Sequence, residues 1–133
     1  MGCMKRKRIS VTILHLEHVR KDWLFDFDGE MFRGFFTGLT REMRRLGVAL
    51  ERIDNREVTI RVNSYADLLN GVRVSSPDDG HSNQCVGHII GKSDNLDICE
   101  DIKTAVMRIA FAPETVAPAS EFRKVCHNCG CGC

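Results

Sequence analysis

Between residues 32 and 46 the apolar side chains fall at spacings of three and four: Phe32, Phe35, Phe36, Leu39, Met43 and Leu46. Such a stripe predicts an amphipathic helix whose one apolar face must be covered by a second layer. Arg33, Arg41, Glu42, Arg44 and Arg45 take the remaining surface. Arg44 and Arg45 also complement the negative end of the helix. Gly47 is placed to terminate it, and Asp28 is the expected N-cap, with Glu30 in the favourable first turn. On both sides of this helix the period changes to two. Ile9, Val11, Ile13 and His15 alternate with Ser10, Thr12, Leu14 and Leu16, which predicts a strand near the middle of a sheet. Val48, Leu50 and Ile53 predict a second strand, closed by a turn at Asp54-Asn55. A helix between two strands favours their lying parallel.

The later elements are shorter. Val58, Ile60 and Val62 mark a half-buried strand. Asn70-Gly71 signals a turn, and Val72 with Val74 a short strand after it. Residues 75–84 read as a loop, followed by a short strand through Val86, His88 and Ile90 that Gly91 closes. A second helix is expected from Leu96 to Ala110, capped by Asp94 or Asn95. Its inward residues would be Cys99, Ile102, Val106 and Ile109, and Pro113 lies beyond its end. The expected architecture is α/β, bordering on α+β: a two-layer mixed sheet of four to five strands covered by two helices. Thioredoxin-like and ferredoxin-like topologies both fit. A chain of 133 residues supports one core. It divides into a basic segment 1–8, a globular domain 9–112, a Pro/Ala/Thr/Ser linker 113–125 and a cysteine-rich tail 126–133.

Composition excludes several classes. Hydrophobic residues make up 43% and charged residues 28%, which is ordinary for a globular protein and wrong for a disordered one. The net charge of +1 gives no global field to attract nucleic acid or a membrane surface. Lys5-Arg6-Lys7-Arg8 and Arg41, Arg44 and Arg45 are basic clusters, but the few aromatics are needed by the core, so nucleic acid is not the expected partner. No apolar run approaches the roughly 20 residues that span a bilayer. The apolar stretch after the basic start is interrupted by His15, Glu17 and His18, so it is not read as a secretory signal. Gly2-Cys3 lacks the Ser or Thr at position 6 of a myristoylation pattern. The cytoplasm is the expected compartment.

Seven cysteines are the abnormal count, and four of them lie in Cys126-His127-Asn128-Cys129-Gly130-Cys131-Gly132-Cys133. Disulfides among these would close loops of one or two residues, which fits neither disulfide geometry nor a stabilising staple. Thiolates suit zinc, copper(I) and metalloids. A C-x-x-C pair lets two sulfurs converge on one ion, and the alternating glycines remove side-chain crowding. The C-x-C spacing is tighter than the usual two to four intervening residues of a zinc site, so copper(I) or a trivalent metalloid stands beside zinc. The texture resembles that of metallothioneins over eight residues. Cys126, Cys129, Cys131 and Cys133 are therefore the expected ligands of a soft metal ion, zinc or copper(I) foremost, with a metal donor or acceptor protein as partner. A thiol-redox relay through the same C-x-x-C is the alternative. The 13-residue linker spans at most about 43–47 Å when extended.

A weaker ligand set is His81, Cys85, His88 and Cys99, although Cys85 and His88 on one strand would point to opposite faces. Buried cysteines acting as small hydrophobes are the better account of Cys85 and Cys99. The segment Trp23-Leu24-Phe25-Asp26-Phe27-Asp28-Gly29-Glu30 resembles the first motif of the haloacid-dehalogenase-like phosphatases, an apolar strand ending in Asp-x-Asp-Gly. The resemblance implies Asp26 as nucleophile, Asp28 as acid/base, a nearby Mg²⁺ and Lys92 as the lysine of that family. The sequence departs from the family at Glu30, where Thr or Val is usual, and at Asp54, where Ser or Thr is expected. After residue 112 only Glu114 and Glu121 are acidic, which leaves the final acidic pair unmatched.

Overall fold

The computed structural model describes residues 7–19, 23–91, 93 and 96–116. Its elements run β1 (Lys7–His18), α1 (Glu30–Arg45), β2 (Val48–Val62), α2 (Tyr65–Asn70), β3 (Val72–Ser76), β4 (His81–Cys85), α3 (Val86–Ile90) and α4 (Ile98–Phe111). Short 3-10 turns lie at Pro77–Asp79 and Pro113–Thr115. The four strands form one sheet in the order β2-β1-β3-β4. β2 is parallel to β1, while β3 is antiparallel to both β1 and β4. The mixed α/β sheet under two main helices is thus the architecture the sequence implies. A parallel β1–β2 pair lies on one side of β1 and a β3–β4 hairpin on the other.

The helical stripe meets the sheet as its spacing requires. Phe32, Phe36, Leu39 and Met43 of α1 are buried, together with Ile9, Val11 and Ile13 of β1, Val48 and Leu50 of β2, and Val72 and Val74 of β3. α4 adds Ile102, Ala105, Val106 and Ile109 to the same core. Each large side chain so buried contributes about 1.5–3 kcal/mol relative to exposure. Gly47, with φ +86, ends α1 by donating its N–H to the Arg44 carbonyl at 3.1 Å.

β2 departs from expectation. The two segments 48–53 and 58–62 are one strand, because β1 is long enough to pair with both. Leu14 pairs with Asn55, whereas the next residue, His15, pairs with Thr59. The expected turn at Asp54-Asn55 is therefore the start of a bulge that holds residues 56–58. An offset of three exchanges the faces of the strand. Leu50 shares a face with Ile9, whereas Ile60 shares one with Leu16, on the opposite side of β1. α2 packs at this second end, where the Gly71 backbone lies against the Leu16 side chain.

Three further expectations are corrected. The loop 75–84 is mostly a hairpin: β3 extends to Ser76, Gly80 at φ 77 closes the 3-10 turn, and β4 begins at His81. Val86, His88 and Ile90 lie on helix α3 instead of a strand, because the Cys85 sulfur accepts the His88 N–H at 3.3 Å and caps a helical turn. Five residues of alternating polarity are too few to tell the two periods apart. α4 starts at Ile98 with Asp97 as its cap, in place of Asp94 or Asn95; the carboxylate accepts the N–H groups of Cys99 and Glu100 at 3.1 and 3.3 Å. After α4 the packed chain continues to Val116, which is buried. Among the described residues no helix is long and apolar enough to cross a membrane.

Candidate functional site

The connection from β1 to α1 leaves the sheet at the carboxyl end of a parallel pair, the place where open α/β sheets offer a crevice. Alternation governs its local structure. Phe25 and Phe27 turn inward and meet Phe32 edge-on, with ring centroids 5.8 and 4.9 Å away. Asp26 and Asp28 are consequently turned outward, and both are exposed. The Asp26 carboxylate accepts the Asp28 backbone N–H at 2.9 Å. Asp28 is paired with Arg52 at 3.0 Å and lies 4.0 Å from Arg56.

Arg52 organises this corner. It donates to Asp54 at 3.0 Å and to the Phe27 carbonyl at 2.7 Å, and its guanidinium lies 5.6 Å from the centre of the Phe32 ring. Five donors in a rigid fork suit such a junction of loop and strand. The result is an open groove of about 570 Å³ whose polar lining includes His15, His18, Asp26, Asp28, Arg52 and Arg56. His15 Nδ1 lies 3.1 Å from the Thr59 hydroxyl. His18 Nε2 is buried with no hydrogen-bond partner among the described residues. With both signs of charge and two imidazoles, the groove can take up a polar group; the exposed Arg56 side chain lies beside Asp28 at its rim.

The Asp-x-Asp segment is not set up as the phosphatase resemblance implies. β1 ends at His18, and residues 24–26 lie in neither strand nor helix, so among the described residues no strand runs into this carboxylate. Asp28 is not the N-cap of α1. Gly29 occupies that position without a side-chain cap, because Asp28 is turned toward Arg52. Lys92 lies outside the described residues. Arg52 was missed by sequence reading, although a signal existed: it occupies the strand position where the alternation of Val48 and Leu50 calls for an apolar residue.

The weaker ligand set does not converge. Among the described residues no group of three His, Cys, Asp or Glu side chains could hold a metal ion. His81 is buried at the start of β4, with Nε2 3.0 Å from the Pro113 carbonyl. Cys85 is buried and caps α3 with His88 in its first turn. Cys99 lies half-buried on α4, where burial, followed by the charges of Asp97 and Glu100, pushes its thiol up to about 11. No cysteine lies between Lys7 and Val62, so the strand–helix–strand unit carries no dithiol of its own. Cys126, Cys129, Cys131 and Cys133 lie outside the described residues.

A different polar cluster ties the far end together. The Tyr65 hydroxyl donates to the buried Asp101 carboxylate, which also accepts from the Ser93 hydroxyl at 2.6 Å. Trp23 packs on the Tyr65 ring at 5.6 Å. Burial, then the hydrogen bond to Asp101, holds the Tyr65 hydroxyl well above the usual tyrosine range, so it remains a donor. Compared with known protein families, with curated proteins and with solved structures, the chain matches none.

Proposed function

We propose that the chain is a small cytoplasmic protein that binds a soft metal or metalloid through Cys126, Cys129, Cys131 and Cys133, for sequestration or delivery. The observation that carries this reading is the sequence C-x-x-C-x-C-x-C, four thiols within eight residues separated by small or polar ones. Thiolate is the form that binds soft ions. The folded domain does not compete for that role: Cys85 is buried, and the Cys99 thiol is held protonated at neutral pH. A donor or acceptor protein of the same metal is the partner this reading requires.

The test is elemental analysis of protein purified without oxygen and without a metal-affinity tag, beside a variant with Cys126, Cys129, Cys131 and Cys133 all replaced by serine. One zinc or copper per chain, lost in the variant while the thermal unfolding of the domain is unchanged, is the expected outcome. Failure to take up zinc, copper(I) or arsenite would remove the proposal. A reversible disulfide among the same thiols, with no metal, would assign them to redox exchange instead.

A further inference from the structure

The exposed side of α1 carries charge that the fold does not use. Arg33, Thr37, Arg41, Arg44 and Arg45 fall within an arc of about 120°, spread over about 18 Å of helix. All five are exposed. None of the four guanidiniums has an ion pair or a hydrogen bond among the described residues. Glu30, in the first turn, is the acidic residue of this arc. Glu42 lies on the opposite flank and is paired with Lys103 of α4 at 3.8 Å, so the arginine flank faces away from α4.

The same flank is bare of bulk. Gly34 lies within the arc and Gly38 at its border, both exposed, and a Cβ on either would meet nothing within 4 Å. Packing therefore does not require glycine here, and glycine is a poor helix former. The two glycines leave a helix backbone that another molecule can approach closely between the arginines. Beside them Phe36, Thr37, Thr40, Arg41 and Arg44 line a depression in which two hydroxyls stand with two guanidiniums. Phe36 itself is 9% exposed, and no exposed aromatic ring lies on the arc.

We propose that this face of α1 docks on double-stranded DNA, lying along the major groove with its arginines on the phosphates. Guanidinium forks and hydroxyls are the groups that hold phosphate oxygens. A helix about 10–12 Å across matches a groove about 12 Å wide, and the absent side chains at Gly34 and Gly38 let it sit deep. Arg33 and Arg44 form one row and Arg41 and Arg45 another, which suits the two phosphate walls of the groove. The want of exposed rings bars single strands, whose bases need stacking platforms, and places no bar on a duplex. Duplex RNA closes its major groove to a helix. A second copy of the chain would set arginine against arginine, and a bilayer would find no apolar side chain within the arc to insert. With a net charge of +1, the attraction belongs to this helix and not to the whole molecule. It is independent of the thiol segment, with which α1 shares no residue.

Fluorescence anisotropy of a labelled, mixed-sequence DNA duplex, titrated with the full chain over a range of salt, tests this. Four phosphate contacts predict a slope of about −3 to −4 in log K against log salt, which is about a hundredfold loss between about 50 and 200 mM. Arg41→Gln with Arg44→Gln should lower that slope by about two while thermal unfolding stays unchanged. Arg61→Gln, on β2 and paired with Glu17 away from this arc, should leave the slope as it was. Gly34→Leu enters open space, so it should keep the fold and weaken binding several-fold. An unchanged slope without Arg41 and Arg44 overturns the role of α1. Tighter binding to single-stranded DNA or to an RNA duplex of the same length overturns the seating in the groove, as does full affinity in Gly34→Leu. Binding to phosphatidylserine vesicles that depends on the same arginines, with none to DNA, would assign the face to a membrane instead. No binding to DNA by the unaltered chain removes the proposal.

Discussion

A half-buried thiol on a helix surface is usually a target for alkylation, but Cys99 has two acidic neighbours. Burial and the carboxylates of Asp97 and Glu100 oppose its ionisation and raise it from 9.0 to about 11. At pH 8 it should react with iodoacetamide more than tenfold slower than an unhindered cysteine, because the thiolate is the nucleophile; timed mass spectrometry checks this. The sign for stability follows from the same shift. The folded state disfavours the thiolate, so the stability linked to Cys99 is complete below pH 9 and declines as pH rises toward 11. Asp79 runs the other way. Burial opposes its ionisation, but the Ser76 hydroxyl at 2.7 Å and the Lys7 ammonium at 3.0 Å outweigh it and hold the carboxyl below the usual aspartate range. Its contribution is present at neutral pH and lost in acid.

At the scale of elements, the decisive joint is the one Arg52 makes between the 23–29 loop and β2. Arg52→Ala removes a donation to the Phe27 carbonyl and the charge that holds Asp28 and Asp54 together. Both carboxylates are partly solvated, so the expected loss is about 1–2 kcal/mol in urea unfolding, most of it from the carbonyl left without its donor. Increased amide exchange should be confined to residues 26–30. The same joint explains what could be read beforehand. The stripe from Phe32 to Met43 fixes α1 because five apolar residues at helical spacing admit no other period. The N-cap was misread because Asp28 has two suitors, the helix end and Arg52, and only the fold brings the second within reach. α3 was misread because five residues sample too little of either period. α2 went unseen because its signal, the Ser64 hydroxyl accepting the Asp67 N–H at 3.3 Å, opens a helix of only six residues.

Across the whole molecule, the Tyr65–Asp101–Ser93 cluster joins segments that are distant in the chain, α2 with α4. Tyr65→Phe keeps the ring against Trp23 and deletes only the donor to a buried carboxylate. A loss of about 2 kcal/mol is expected, spread over one cooperative transition and not confined to α2; coincident fluorescence and circular dichroism melts would show it. The sheet itself ends in β2, an edge strand whose Glu51, Arg52, Asp54, Arg56 and Glu57 discourage pairing with another chain. The thiol segment lies outside the described residues, and the groove around Arg52 was not legible in the sequence, since its members come from three separate stretches of chain.

The three extra residues in β2 set a parity for the molecule. Because the count is odd, the strand's even-numbered residues serve the α1 side before the bulge and the α2 side after it, so one uninterrupted ribbon waterproofs opposite faces at its two ends. Removing two of the three would leave that assignment intact and merely tighten the arch. Removing one, or all three, would invert it, sending Ile60 and Val62 toward the wrong neighbour and leaving α2 with nothing apolar to settle on. Length in this stretch is therefore free to vary only in steps of two.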